Sequence, residues 1–282
     1  MNDLVFRNVP HIYYVAFPSL DPERPLTVAA QLRLPRSPAP MPAVVIVHGT
    51  SGVDSRGGYH AEALNEAGIA TLEIDLWGAR GLSGGGEGRP ASVIETLPDA
   101  FGALAWLSAH PAIDAAHIGI TGYSWGGVVS MLTATRFYTR QFMGQSGLRF
   151  AAHVPFYPVC WVYNRAPGYE FSHLTGAPVL ILTGALDTYE AADTCPNLMQ
   201  QLAPADRSCV EAIVYPDATH AFDRLEPAVT VNDPYAYFGQ GGEVLFAPNP
   251  DAAADSRLRT VRFFQHAFGM PADANQSRRE CV

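Results

Sequence analysis

Short apolar runs alternate with longer helix-like segments along most of the chain, beginning near Pro42. The clearest runs are AVVIVHG (43–49), IATLEID (69–75) and APVLILTG (177–184), and an amphipathic segment follows each of them. Strands that are apolar along their whole length are buried on both faces of a sheet. The alternation therefore predicts an α/β protein with a mostly parallel central sheet and helices on both of its faces.

The first 40 residues have a different pattern. Two extended segments, HIYYVAFPS (11–19) and LTVAAQLRLP (26–35), are separated by the Pro-bearing stretch LDPERP. Two such segments around a turn predict an antiparallel pair at the edge of the sheet. No internal repeat or Gly/Ser-rich linker divides the sequence. We expect a single domain over residues 1–282, with a β extension at 1–40, a long loop at 221–249 and a polar tail at 270–282.

Composition limits the classes of partner. The 282 residues carry a formal net charge of −9, which argues against binding to nucleic acid or to an anionic membrane surface. No apolar stretch approaches the roughly 20 residues of a membrane span, and the N-terminus lacks the pattern of a signal peptide. We expect a cytoplasmic location, or a secreted or periplasmic one if a leader was removed. The sequence leaves the oligomeric state open.

The segment Gly122-Tyr123-Ser124-Trp125-Gly126 fits the pattern G-x-S-x-G. In a nucleophile elbow the serine occupies a strained turn between a strand and a helix, which exposes its hydroxyl at the carboxyl edge of the sheet. Here the apolar run HIGIT precedes the pattern and a helix-like segment follows it. An ordinary Gly-rich turn is the alternative. The context favours Ser124 as a nucleophile.

A serine hydroxyl needs an adjacent base and a group that orients the base. In this architecture both groups follow the serine in the chain and lie at the carboxyl ends of strands. Of nine histidines, only His220 lies in the loop after the last predicted strand, CVEAIVYP (209–216), because His266 falls inside the predicted terminal helix. We predict that His220 is the base.

The orienting acid is predicted to be Asp187. It lies three residues after Gly184, which ends the preceding predicted strand, APVLILTG. Asp193 is placed to complement the dipole at the start of the next helix. Asp217 is placed to shape the turn before His220. The oxyanion would be held by two backbone N–H groups, for which we predict Thr50 and Trp125.

Gly49 or Ser51 could replace Thr50 as the first oxyanion donor, since all three belong to the loop after the first central strand. His48 precedes these residues in the same loop. We expect it to brace the loop and to take no part in the chemistry.

Taken together, five segments resemble the dienelactone hydrolase family over residues 25–268. They are VIVHGTSGV (45–53), DLWGARG (75–81), GYSWGG (122–127), LTGALD (182–187) and YPDATHAFD (215–223). The resemblance implies the α/β-hydrolase fold and a triad of Ser124, His220 and Asp187. Two positions depart from founding members, which have cysteine at the nucleophile and glutamate where this chain has Gly49.

The resemblance also points to two arginines. Family members that act on dienelactones hold the substrate carboxylate with one arginine after the second central strand and one just past the catalytic histidine. Arg80 and Arg224 are the counterparts here, although Arg80 lies one residue further along its loop. The alternative is that each arginine pairs with a nearby acid, namely Asp75, Glu87, Asp223 or Glu226.

Several aromatic residues follow a predicted strand in HVPFYPVCWVYN (153–164). Phe156, Tyr157, Trp161 and Tyr163 could line a substrate pocket beside Trp125 or simply cap the core, and Trp161 is our choice for a substrate contact. The long segment 221–249 is predicted to form a flap over the site.

Four cysteines are present: Cys160, Cys195, Cys209 and Cys281. Cys195 and Cys209 could form a bridge. Their predicted places at opposite ends of the sheet exceed the ~7 Å limit between Cα atoms, however. No metal-binding motif is present, and the Gly-rich stretch GLSGGGEG (81–88) fits no phosphate-binding pattern.

These observations predict a serine hydrolase that cleaves small-molecule carboxylic esters or lactones without a metal or other cofactor. The alternatives are a non-catalytic binding protein of the same fold and a peptidase.

Overall fold

A computed structural model of the protein describes residues 9–84 and 88–271. Eight strands form one sheet in the order β1-β2-β4-β3-β5-β6-β7-β8. The strands are β1 His11–Pro18, β2 Thr27–Leu34, β3 Met41–Val47, β4 Ala70–Asp75, β5 Ile113–Tyr123, β6 His153–Phe156, β7 Val179–Gly184 and β8 Val210–Tyr215. Strands β3 to β8 pair in parallel, while β1 and β2 form the antiparallel edge. The predicted fold class is confirmed.

Helices cover both faces of this sheet. They are α1 Ser55–Glu66, α2 Leu97–Ser108, α3 Trp125–Thr133, α4 Arg136–Met143, α5 Thr194–Gln201, α6 Pro204–Arg207, α7 Ala236–Gly239 and α8 Pro250–Ala267, with 3-10 turns at Gly78–Arg80, Val93–Thr96 and Cys160–Val162. Strand β3 alternates its side chains between the two layers: Val45 and Val47 pack with α2 and α3, whereas Val44 and Ile46 pack with α1 and α8. None of the helices in the described ranges is both long and apolar enough to cross a membrane.

Two elements differ from the sequence prediction. The helix-like segment after the G-x-S-x-G pattern forms two helices, because the Thr135 side chain accepts a hydrogen bond from the Tyr138 N–H and begins α4. The segment 221–249, predicted as a loop, contains a hairpin of strands β9 Val229–Asp233 and β10 Gly242–Phe246. Among the described strands, these two form a ladder only with each other, and one isolated bridge joins Phe246 to His220.

A disulfide joins Cys160 to Cys195, with their Cα atoms 5.2 Å apart. Cys195 therefore does not pair with Cys209, which has a free thiol. Cys195 lies in the first turn of α5, and Cys209 directly precedes β8. Cys281 and most of the predicted polar tail fall outside the described residues, as do residues 85–87 of the Gly-rich stretch.

Candidate active site

Ser124 lies at the turn from β5 to α3 with a positive φ of 53°. The two glycines of the pattern make this turn sterically feasible. A Cβ at residue 122 would lie 2.2 Å from the Gly126 carbonyl oxygen, and one at residue 126 would lie 2.1 Å from that of Val47. The turn thus holds a serine side chain at the carboxyl edge of the sheet in a strained conformation, as a nucleophile elbow requires.

His220 and Asp187 form a close buried pair. Their Nδ1 and Oδ2 atoms are 2.6 Å apart, and the residues are 1% and 5% exposed. Because a carboxylate only accepts hydrogen bonds, Nδ1 carries the proton and Nε2 keeps its lone pair. Nε2 is buried and has no hydrogen-bond partner among the described residues. The other Asp187 oxygen accepts from the Tyr189 N–H at 2.9 Å, which fixes the carboxylate.

Aromatic rings hold the His220 imidazole in place. Tyr157 and Tyr189 have ring centroids 4.6 and 4.5 Å from it, and the centroid of Phe246 is 5.2 Å away. A backbone bridge between His220 and Phe246 ties the histidine loop to β10. The ring is therefore oriented by packing as well as by Asp187.

A buried polar network supports Tyr157 from behind. Its hydroxyl donates to Asp223 Oδ1 at 2.5 Å and accepts from Arg56 Nη1 at 3.2 Å, while His60 Nε2 is 2.8 Å from Asp223 Oδ2. Burial alone would raise the pKa of Asp223, but the hydrogen bonds from His60 and Tyr157 and the charge of Arg56 hold that pKa below its usual value. The network keeps one wall of the histidine site rigid.

The loop after β3 carries the predicted oxyanion residue Thr50. His48 braces this loop, since its Nε2 accepts from the Leu76 N–H at 3.0 Å and its Nδ1 is 2.7 Å from the Gly49 carbonyl oxygen. The indole of Trp77 donates to the Thr50 carbonyl oxygen at 3.0 Å. This hydrogen bond fixes the position of the Thr50 carbonyl group within the loop.

Trp125, the second predicted oxyanion residue, is the first residue of α3. The first N–H groups of a helix have no partner within the helix. The Trp125 indole Nε1 donates a hydrogen bond to Thr96 Oγ1 at 3.1 Å. The Trp125 N–H is therefore available beside Ser124, next to the positive end of the helix dipole.

Two adjoining cavities share Ser124. The first, which we call the aromatic cavity, has a volume of about 540 Å³ including its open mouth. It is lined by Thr50, Arg89, Ala91, Val93, Ser124, Trp125, Val128, Val159, Trp161, Val162, Tyr169, Tyr189, Asp233 and Tyr235. The second, the histidine cavity, measures about 470 Å³ and is lined by Thr50, Ser51, Arg56, Ser124, Tyr189, His220, Val231, Asn232, Asp233 and Phe246. The structure thus brings Ser124, His220 and Thr50 to one cleft.

Trp161 lines the aromatic cavity, where we predicted a substrate contact. Phe156 and Tyr157, from the same aromatic segment, are fully buried in the core. The hairpin of β9 and β10 contributes Val231, Asn232 and Asp233 to the cavity walls. The aromatic segment therefore serves both the core and the cleft.

Arg80 and Arg224 lie away from both cavities. Arg80 Nη1 makes a buried ion pair with Asp99 Oδ2 at 2.6 Å, and its guanidinium also donates to the Leu76 and Glu95 carbonyl oxygens. Arg224 Nε is 3.7 Å from Glu226 Oε2. The placement does not support the substrate-binding role predicted for these arginines, and we assign them structural contacts. Asp99, the partner of Arg80, is not among the nearby acids that the sequence offered as alternatives.

Arg89 lines the aromatic cavity instead, and no pattern in the sequence predicted it. It follows the Gly-rich stretch, outside every motif that carries the family resemblance. The nearest signal in the sequence was that this stretch enters a loop at the carboxyl edge of the sheet. A position in a loop near the site does not by itself indicate which charged side chain lines the cavity.

Glu190 lies beside the disulfide, behind the cavity wall. Its Oε2 accepts from the Trp161 N–H at 2.7 Å, and its Oε1 is 3.4 Å from Cys195 Sγ. Burial raises the pKa of the Glu190 carboxyl to about 8. Among the described residues, Cys160, Glu190 and Cys195 are the one group of three potential metal ligands whose ligand atoms lie close together. The disulfide removes both thiolates that a metal would need.

The raised pKa of Glu190 predicts a pH-dependent stability. Because the folded state holds this proton more tightly than the unfolded state, the stabilisation is present below pH 4.5 and is lost as the pH rises towards 8. We expect Glu190→Gln to reduce this loss by up to about 1.4 kcal/mol per pH unit. Urea unfolding at several pH values measures it, with the exposed Glu23→Gln as control. An unchanged slope in Glu190→Gln would contradict the assignment.

Comparison with known proteins identifies the family of the chain. A sequence model described as the dienelactone hydrolase family matches residues 28–268. The chain belongs to the dienelactone hydrolase family. A Methylorubrum extorquens protein named as a candidate carboxymethylenebutenolidase is 25% identical over 229 residues, which cover 71% of this chain and 72% of that protein.

Solved structures show that this dienelactone hydrolase family member has the α/β-hydrolase fold. Dienelactone hydrolase from Anabaena variabilis is 19% identical, with 91% of this chain and 98% of that chain covered and a TM-score of 0.58. Thermogutta terrifontis esterase 2 phosphoramylated by tabun is 15% identical, with 97% and 100% covered and a TM-score of 0.63. At these identities the likeness is one of fold.

Proposed function

We propose that the protein is a serine hydrolase that cleaves carboxylic esters or lactones through an acyl-enzyme intermediate. The observation that carries the proposal is the position of His220. Its Nδ1 is hydrogen-bonded to Asp187, and its Nε2 has no partner in the described part of the chain. His220 lines the same cavity as the strained Ser124. A base with a fixed tautomer in the same cavity as a serine is what nucleophilic acyl transfer requires.

The first half of the reaction follows from these groups. Ser124 Oγ attacks the carbonyl carbon of the substrate while His220 Nε2 takes the hydroxyl proton. The N–H groups of Thr50 and Trp125 hold the negative charge on the carbonyl oxygen, and each such donor contributes roughly 3–4 kcal/mol. The C–O bond to the leaving group breaks, and the imidazolium returns the proton to the departing alkoxide. The products are an alcohol and an ester of Ser124.

The second half repeats these steps with water as the nucleophile. His220 takes a proton from the water, whose oxygen attacks the acyl carbon, and then protonates Ser124 Oγ as the acid leaves. Asp187 stabilises the imidazolium in both halves without itself taking a proton. Apart from water and the substrate, the groups used in these steps belong to the chain.

A fluorophosphonate probe tests the proposal directly. We expect the probe to bind covalently at Ser124 and to block hydrolysis of an aryl ester in proportion to labelling. Intact-protein and peptide mass spectrometry identify the modified residue. The Ser130→Ala variant is the matched control, because Ser130 is fully buried in the helix that follows the elbow. It should be labelled normally, whereas Ser124→Ala should not. A wild type that resists the probe and hydrolyses no ester contradicts the proposed function.

A further inference from the structure

The aromatic cavity contains one pair of opposite charges. Among the described residues that line it, Arg89 and Asp233 alone carry charged side chains. The two groups meet through two contacts, from Nη1 to Oδ2 at 3.3 Å and from Nη2 to Oδ1 at 3.4 Å. Each side chain is 10% exposed, so water screens the pair only weakly.

The surroundings of the pair fix its position next to Ser124. Arg89 Nη1 also donates to Thr50 Oγ1 at 3.1 Å, in the predicted oxyanion loop. The guanidinium carbon lies 5.8 Å from the Trp125 ring and 5.1 Å from the Tyr235 ring. Asp233 Oδ1 accepts from the Tyr235 N–H at 2.8 Å, and Asp233 lines both cavities. The pair therefore connects the hairpin to the loop beside the nucleophile.

This arrangement disfavours an anionic substrate. A substrate carboxylate that enters the aromatic cavity loses its hydration and meets the Asp233 carboxylate, while Arg89 is already paired. An uncharged acyl or alcohol group incurs neither cost and gains contact with the aromatic wall.

We propose that the Arg89–Asp233 pair is a specificity determinant, which selects uncharged esters and rejects those that place an acid group in the aromatic cavity. This inference rests on the proposed esterase function. A preference for uncharged esters is the opposite of the preference for anionic substrates that Arg80 and Arg224 would have provided in a substrate-binding role.

Removing one charge of the pair should shift the preference, in a direction that depends on which charge is removed. Asp233→Asn keeps the size of the side chain and an oxygen for the Tyr235 N–H, but leaves Arg89 without a counter-charge. Such a buried guanidinium pairs strongly with a carboxylate. We expect the ratio of kcat/KM for an anionic ester to that for its neutral analogue to rise by about 10-fold or more. Arg89→Gln should lower the same ratio below that of the wild type.

Two esters of matched shape measure the ratio: the mono-4-nitrophenyl ester of glutaric acid and its methyl ester. The wild type should prefer the neutral ester, and the double variant Arg89→Gln/Asp233→Asn should lose the shift seen in Asp233→Asn. Glu62→Gln changes the net charge equally at an exposed ion pair with Arg257 and should leave the ratio unchanged. A ratio that Asp233→Asn and Arg89→Gln both leave unchanged overturns the inference.

Binding gives a readout that does not depend on hydrolysis. Calorimetry with 4-phenylbutyrate should show at least about 10-fold tighter binding to Asp233→Asn than to the wild type, and the double variant should lose this gain. The amide of the same acid should bind all variants alike. Equal binding of the carboxylate to wild type and Asp233→Asn overturns the charge selection, whether or not the protein is an esterase. Binding as expected from a protein without esterase activity would instead place the error in the proposed function.

Discussion

The variants His220→Ala and Asp187→Asn are each expected to lower kcat for a neutral aryl ester by roughly 10³-fold or more, with the fold intact. In the proposed mechanism His220 is the base, and Asp187 fixes its tautomer through the hydrogen bond at Nδ1. Because the two residues act as a unit, the double variant should be little slower than the slower single variant. Steady-state kinetics with circular dichroism as a folding check measure these effects.

Two acids close to Asp187 and His220 in the sequence provide matched controls. Asp193 is exposed and accepts a hydrogen bond from the Asn197 side chain at 3.0 Å, and Asp217 is also exposed. We expect Asp193→Asn and Asp217→Asn to retain kcat within about two-fold, as surface substitutions usually have small effects. A large loss in either control, or fully additive losses at His220 and Asp187, would show that the acid is assigned wrongly.

The largest loss of stability is expected from Gly122→Ala. The added Cβ would lie 2.2 Å from the Gly126 carbonyl oxygen, and backbone on both sides of the contact leaves no flexible group to move aside. We expect a cost of about 4 kcal/mol or more in the free energy of unfolding, or failure to fold. Urea unfolding and soluble yield measure it.

A glycine-to-alanine substitution in α1 should not lower the free energy of unfolding. A Cβ at Gly58 would meet only the Arg33 Nη2 atom at 3.6 Å, which is ordinary van der Waals contact. Alanine is favoured over glycine within a helix by up to about 1 kcal/mol. Gly58→Ala is therefore expected to be neutral or stabilising. Similar stabilities for the two variants would show that the elbow tolerates a side chain at residue 122.

The fold and the places of the proposed triad residues at the sheet edge could be predicted because both depend on local patterns. Apolar runs locate the parallel strands, and chain order then places Ser124, Asp187 and His220 at their carboxyl ends. The spacing in each segment is short, so small errors at element boundaries do not move these residues away from the sheet edge.

The cavity walls depend on contacts between segments distant in the sequence, and they could not be predicted in the same way. Arg80 pairs with Asp99 across a helix start, and Cys160 pairs with Cys195 across β7. Arg89 reaches Asp233 from a point 144 residues earlier in the chain. No periodicity or motif encodes such pairings, because each depends on how two segments distant in the sequence come together in the fold.

The hairpin of β9 and β10 has a consequence for how relatives of this protein can diverge. It forms walls of both cavities, yet its strands make no ladder with the central sheet and none of the proposed triad residues belongs to it. Substitutions or changes in length there can alter which molecules fit beside Ser124 while the sheet and the reacting groups stay as they are. Selection for a new nutrient or toxin could thus act on a segment of fewer than twenty residues, separately from the inherited chemistry.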